Sequence, residues 1–434
     1  MTPEFAAGTV LPEAFHPVNS LDYLPRQLLG NLQSTRLRQT VARAYQHFPL
    51  FRQRMHKQRI APEDIRSVDD IARLPFTSKN DLVEADPEEW FAAPSQMIVR
   101  YQTVTLLPGK VLTTPFTAAD LQLWRQLLVR CLATCGLDRS DVVLLPCGRH
   151  LCADASMLSA ALEALGAAAV LSPAAGADQL LPTIRQLGVS AICTTPSHLF
   201  ALVEQAERRG AELRGLPLRL AVLFGEPISQ HSRQRIEQAA EIKVFELFGL
   251  DEVFNPGLAG QCPCGGLHIL EDQCLPEVVD PASGNPLPDG QPGELVLSTL
   301  CREAMPLVRY RTGVQTALTP ELCPCGRTLR CIQPIAQQGQ QLLNIQGVCV
   351  WASQIEAVLL AVIGAVPPYR VVPAATDSLE QVEMQVEVTP QVIRDQVGAM
   401  ETLHSKLTEQ LAATTGVALA VRFVEPHTVQ RQRS

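Results

Sequence analysis

Six short stretches decide the fold: DVVLLPC (141–147), SMLSAALEALGA (156–167), AAVLSP (168–173), DQLLPTIRQLG (178–188), AICTTP (191–196) and LRLAVLFG (218–225). Four are near-continuous apolar runs of strand length, and two carry apolar residues at helical spacing. Apolar strands separated by amphipathic helices make a parallel sheet covered on both faces, because each crossover lays a helix on one face. Ligands of such sheets bind outside the carboxyl ends of the strands. The loops that begin at Thr194, Gly225 and Phe248 are therefore the places to look for a site.

Outward from this block, LLGNLQSTRLRQTVARAYQHF (28–48) alternates apolar and basic positions at helical spacing, a helical lead. PFTSKNDL (75–82) marks a turn, with Thr77 or Ser78 able to cap the short helix after it. Beyond 250 the character changes: short strands alternate with turn signals such as DPASGNPLPDGQPGE (280–294), an antiparallel β subdomain over about 255–335. AQQGQQ (336–341) reads as a hinge. VCV, SQIEAVLLAV, YRVVPAA, QVEMQVEVT, a long helix and VALAVRFVE then read as β-α-β-β-α-β, a small ferredoxin-like α+β domain over 342–434. The expectation is an α/β chain with a large domain over 1–335 and this small one.

Composition narrows the function. With 434 residues, 46% of them hydrophobic, the chain can bury a large core. Its most apolar stretch, Ala160 to Leu171, is too short to span a bilayer, and no basic-then-apolar leader opens the sequence. A soluble cytoplasmic protein is the default. The net charge of −8 and scattered basic residues argue against nucleic acid and against an anionic membrane surface. Thirteen cysteines, an odd number without an export signal, suit metal ligation or buried thiols better than a disulfide framework.

LFGLDEVFNPGLAG (247–260), GLHILED (266–272), LPEVVDPASGNPLPDGQPGELVLSTL (275–300), EAMPLVRYRT (303–312), CPCGRT (323–328) and QGVCVWASQIE (346–356) are specific. Together with PEDIRSVDDIARLPFTSKNDL (62–82) and TTPSHLF (194–200), they make the chain resemble the phenylacetate–coenzyme A ligases of the adenylate-forming superfamily, from about Leu24 to Val429. The resemblance implies an AMP-binding large domain and a two-step reaction: a carboxylate attacks ATP to give an acyl-adenylate, and a thiol then displaces AMP. It implies a small carboxylic acid and an acyl thioester of coenzyme A or a carrier protein as partners, with a homodimer as a frequent family form.

The resemblance assigns Gly225, Glu226 and Pro227 to the adenine side, and Phe248 and Gly249 to the next motif. It makes Glu252 the position that helps hold Mg²⁺, and Arg311 a nucleotide-side cation. Other family positions are replaced. The Ser/Thr/Gly-rich phosphate loop corresponds to Thr103-Val104-Thr105-Leu106-Leu107-Pro108-Gly109-Lys110, whose proline lacks an N–H. The carboxylate after Tyr-Arg-Thr-x is Val314; unpaired ribose hydroxyls would cost about 1–3 kcal/mol each. The hinge reads Gln338-Gly339-Gln340-Gln341, and the Arg of the following motif is Gln346. The family's adenylation lysine has no counterpart before Ser434, where Arg431 and Arg433 are the nearby cations. All five changes remove charge or donors, so the sequence reads as a degenerate member in which MgATP-dependent adenylation is absent or very slow. The alternatives are a working AMP-forming aryl- or acyl–coenzyme A ligase and a non-catalytic interaction subunit.

Closely spaced thiols and an imidazole, Cys262-Pro-Cys264-Gly-Gly-Leu-His268 and Cys323-Pro-Cys325, suit tetrahedral Zn²⁺. The resemblance places the two segments together and implies a structural zinc. Five candidates compete for four places: Cys262, His268, Cys323 and Cys325, with Cys264 as the rival. Cys131, Cys135, Cys147 and Cys193 read as inert buried thiols, with Cys147–His150 a weaker nucleophile pair. His198 lies where the acyl pocket is expected, and Arg309 and Arg311 suit either an anion or structural salt bridges.

Overall fold

In the computed structural model, residues 16–334 are described apart from 108–109, 148–151, 174–175, 212, 227 and 229. Of the remainder, 342–345, 348–363, 367–373, 382–387, 397–415, 417 and 419–424 are described. The expected hinge 336–341, Gln346, Pro227, Pro108-Gly109, His150 and the terminal arginines lie outside them. The chain divides into two compact units, one of 1–141, 156–168 and 245–336, the other of 142–155, 169–244 and 337–434.

In the second unit, the four apolar runs are strands in the order Leu220–Leu223, Ala191–Thr194, Val142–Cys147, Ala168–Pro173. The first pairs are parallel, with Ala191 opposite Leu220 and Val143 opposite Ala191. Every residue of Ala191–Thr194 and of Leu220–Leu223 is buried, as strands covered on both faces require. The helices Ala177–Leu187 and Pro196–Arg208 press Leu180, Ile184, Leu199 and Leu202 onto Ile192, Ala221 and Leu223.

Residues 342–424 carry all six elements of the expected β-α-β-β-α-β order. Tyr369–Pro373, Val382–Glu387 and Ala420–Val424 form one sheet, antiparallel then parallel. Helices Ala352–Ile363 and Val397–Thr415 bring Ile355, Leu359, Leu407 and Leu411 onto Met384 and Val386. The first strand, Val348–Trp351, instead pairs with Leu342–Ile345, a partner absent from the sequence reading. Two residues separate these runs, a spacing that favours a local hairpin.

The first unit builds its antiparallel sheet in the order Cys274–Val279, Gly293–Thr299, Tyr310–Leu318, Cys331–Pro334, Leu267–Ile269, Phe254–Gln261, Lys243–Leu250. The lead helix Arg26–His47 and the helix Ala118–Thr134 pack beside it. A buried ionic network ties them together: Arg130 meets Asp22, just before the lead helix, at 2.6 Å and Asp272 at 2.9 Å, and Arg36 of the lead helix meets Asp272 at 3.5 Å. The segment before helix Lys79–Glu84 is laced to the strand Tyr310–Leu318 by Thr77 N–H to Arg309 O and Arg311 N–H to Thr77 O.

Candidate functional site

Two constellations of the first unit carry chemistry. In one, His268 stands on the central strand Leu267–Ile269, opposite Cys331 on one side and Gly260 on the other. Two tight turns, at Cys262–Gly265 and Cys323–Gly326, bring thiols to it from either flank. The ligand atoms of Cys262, His268, Cys323 and Cys325 all lie within 4.8 Å of one another. Cys262 Sγ is 3.6 Å from Cys323 Sγ, and Cys325 Sγ is 3.2 Å from His268 Nε2. His268 Nδ1 lies 2.9 Å from the Leu329 carbonyl and donates to it, so Nε2 is the atom turned to the sulfurs. The bond from Cys262 first, then the bond and charge of His268 and the Arg327 main-chain N–H, hold Cys325 far below an ordinary thiol against its burial. Donating that bond to Cys325, together with burial, pushes Cys262 well up. Gly266 is needed here, because a Cβ would meet Cys331 Sγ at 2.7 Å and Cys323 Sγ at 3.1 Å.

Three thiols and an oriented imidazole in one pocket fit a tetrahedral, thiophilic cation. Cys264 is exposed and stands outside the group. Cys331 was missed by sequence reasoning. Its sulfur is 3.4 Å from His268 Nδ1, and only the strand register, with Cys331 opposite His268, reveals it.

The second constellation surrounds Glu252. Strand Lys243–Leu250 turns at Asp251–Val253 and returns as Phe254–Gln261. Gly249 permits the return, since a Cβ would lie 2.4 Å from the Phe254 carbonyl oxygen. Glu252 is buried and accepts a hydrogen bond of 2.5 Å from the Tyr310 hydroxyl. Burial raises its carboxyl above the ordinary range, against the nearby Lys79 charge and the Tyr310 bond. Buried Arg302 holds the turn from behind by donating to the Glu252 and Val253 carbonyls at 2.7 and 2.6 Å, and its guanidinium lies over Phe116 and Phe254. Asp251 is raised by burial despite the Asn255 amide bonded to it and the charge of Lys79. Lys79 Nζ is 3.9 Å from where a Cβ on Gly313 would sit. Sequence reasoning missed Lys79, Arg302 and the role of Tyr310; PFTSKNDL reads as a turn and helix cap, and Ser78 is that cap.

Groups the resemblance assigns to phosphate and ribose are otherwise engaged. Ile98–Leu107 and Lys110–Thr117 pair antiparallel up to Leu107 opposite Lys110, so the described residues of the segment matching the phosphate loop, 103–107 and Lys110, run as strand. Lys110 faces Glu84 at 3.4 Å on the surface. Arg311 Nε donates to Glu294 at 2.9 Å, and Nη2 donates to that carboxylate and to the Pro281 carbonyl. Arg309 is bound to Glu277 and to the carbonyls of Ala72 and Leu74. Both arginines thus make the structural contacts that sequence left open. Val314 donates its N–H to Thr312 and offers no carboxylate.

In the second unit, Gly225 adopts φ of 80° directly after strand Leu220–Leu223, and Thr195 Cγ2 is 3.9 Å from where its Cβ would be. Cys131, Cys135 and Cys193 are buried, and burial pushes Cys131 up to about 12, as inert thiols require.

Comparison with known proteins bears on both constellations. Residues 121–301 match the AMP-binding enzyme family and residues 347–434 the AMP-binding enzyme C-terminal domain. A phenylacetate–coenzyme A ligase of Thermus thermophilus is 34% identical over 420 residues, 94% of each chain. The chain belongs to the phenylacetate–coenzyme A ligase family. The Escherichia coli ligase of this family is 32% identical over 363 residues, covering 83% of this chain and 82% of its own. A 2-hydroxyisobutyryl-CoA ligase solved with 2-HIB-AMP and CoA superposes with a TM-score of 0.78 at 23% identity, over 98% of this chain and 92% of that one, which shows the shared fold. Among the described residues no helix is long and apolar enough to cross a membrane.

Proposed function

We propose that this family member holds a small organic acid or its thioester in the acyl-activating scaffold, and that adenylation is its weak step. The observation that carries the reading is the hairpin Ile98–Leu107/Lys110–Thr117, where strand pairing and leucines occupy the segment from which a triphosphate would draw donors. Val314, Gln338 and Gln346 act in the same direction. Each missing charged contact removes ~2–4 kcal/mol of transition-state stabilisation, or ~10²–10³ in rate, though not additively.

A second reading, an AMP-forming acyl- or aryl–coenzyme A ligase that turns over, is favoured by the comparisons: four relatives 29–34% identical over most of their length are named phenylacetate–coenzyme A ligases. Lys79 beside Asp251 and Glu252 supports it too, as a cation available to a Mg²⁺–phosphate group. Here Glu252 would help hold Mg²⁺, with Phe248, Gly249, Gly225, Glu226 and Pro227 on the nucleotide.

In both readings Cys262, His268, Cys323 and Cys325 hold a structural Zn²⁺, whose four protein ligands leave no position for substrate. Pyrophosphate release from MgATP with a panel of carboxylic acids and coenzyme A tests the step. Binding of an acid with no release above about 10⁻³ s⁻¹ supports the first reading, in line with the rate factors above. Turnover of seconds or faster establishes the ligase and ends the first. Stabilisation by a partner protein alone, with neither acid nor nucleotide bound, supports the interaction subunit.

A further inference from the structure

His198 is the one histidine of the second unit's parallel-sheet region, among the described residues, that stands at a strand's carboxyl end with an unused ring nitrogen. Thr194, the last residue of strand Ala191–Thr194, is fully buried, and its Oγ1 lies 3.0 Å from His198 Nδ1. That hydroxyl has no other hydrogen-bond partner among the described residues. A buried hydroxyl needs an acceptor for its proton, so Thr194 donates to Nδ1 and the ring proton sits on Nε2. The His198 main-chain N–H is held by Thr195 Oγ1 at 3.3 Å, which fixes the first turn of helix Pro196–Arg208 and with it the ring's origin. The residue as a whole is only half-buried, but its Nε2 meets no solvent and no acceptor. Packing keeps the imidazole neutral, down to about 4.

Most buried N–H donors find an acceptor, so an unpaired Nε2 on this ring calls for an account. Its place explains it. Ligands of parallel sheets bind at this end of the strands, and Thr195, one residue past the strand, lies against Gly225 at the end of the neighbouring strand Leu220–Leu223.

We propose that His198 is a specificity-determining residue that reads, through Nε2–H, an uncharged oxygen carried by the body of the acyl ligand: a hydroxyl, ether or carbonyl oxygen apart from the reacting carboxyl group. The inference rests on the acid-binding reading above and names the class of acid. One N–H of a neutral ring completes the needs of a neutral acceptor, whereas a buried carboxylate requires more than one donor or a cation. A site built around such a bond discriminates against the analogue that lacks the oxygen, because its own donor is then left unpaired.

The test is calorimetric titration of the full chain with phenylacetic acid and with its 2-, 3- and 4-hydroxy derivatives. At least one hydroxy acid is expected to bind tenfold or more tightly, roughly the worth of one hydrogen bond. His198→Phe is expected to erase that preference while leaving phenylacetic acid within about twofold, and His198→Gln, which keeps an N–H donor, to restore part of it. Should the phenylalanine variant not fold, Thr194→Val, which removes the group that fixes the tautomer, is expected to weaken the preference. Acid binding with equal affinity across the four probes, or a preference that persists in His198→Phe, overturns the proposal alone. Failure of the wild-type chain to bind any of these acids overturns the acid-binding reading and this inference with it.

Discussion

The cysteine cluster and the Glu252 turn lie in the same unit, and they satisfy their polar groups in opposite ways. At the cluster, three sulfurs and Nε2 face one another, and a main-chain N–H and a carbonyl prepare them from outside. His268 and the Cys325 thiol already interact within the group, and a thiophilic cation would complete its geometry. At the turn, Glu252 is already paired with Tyr310, the turn carbonyls with Arg302, and Arg311 with Glu294. There the protein closes on itself, and Lys79 alone keeps a charge without a hydrogen-bonded partner among the described residues. The cluster gathers ligand atoms around one point, while the turn pairs its polar groups with the protein's own side chains.

The sharpest way to break this contrast is to empty the cluster. Cys325→Ser is expected to reduce bound zinc from about one per chain to near none and to lower unfolding stability by about 4 kcal/mol, the linkage for a cation at a thousand times its dissociation constant. Elemental analysis and urea titration check it, and Cys264→Ser, at the exposed rival, should retain the metal. Next is the ionic network under the cluster. Asp22→Asn leaves buried Arg130 and Arg327 short of a carboxylate and should cost about 3–5 kcal/mol in urea while retaining zinc.

The turn should respond more weakly. Tyr310→Phe removes a buried bond to Glu252 and should cost about 2 kcal/mol. Glu252 also sets a pH signature. Its folded carboxyl lies above its ordinary value of 4.5, so its contribution to stability is fully present below that value and is lost as pH rises through the folded one. Glu252→Gln should therefore flatten the decline in stability between acid and neutral pH, read by urea midpoints; an unchanged slope would remove Glu252 as its source. Smallest is Lys79→Met. With no hydrogen-bonded partner to lose, it should change stability by less than about 1 kcal/mol. Any affinity for MgATP should fall about tenfold, which separates a ligand-facing cation from a structural one.

Much of this was readable from residue order because the deciding signals are local. Apolar runs at strand length marked the parallel sheet, and CPC with a downstream GLH marked the cluster. Contacts made across distant segments were not readable. Cys331 joins His268 only through register, and Lys79 reaches Gly313 only because Thr77 laces its segment to the strand of Tyr310. The extra partner of Val348–Trp351 escaped notice because three apolar residues and an asparagine before a two-residue break read equally as linker. His198 was visible as a residue; its unpaired Nε2 was not, since tautomer and partner depend on Thr194 in three dimensions.

The central claim is that the phosphate side of this scaffold is filled by its own chain. Thermal unfolding of the protein with millimolar MgATP tests it most directly. The account predicts a midpoint unchanged within about 1 °C, since a ligand that does not bind adds no linkage energy. A rise of several degrees that is lost in Glu252→Gln would show nucleotide held through Mg²⁺ at that carboxylate, and would contradict it.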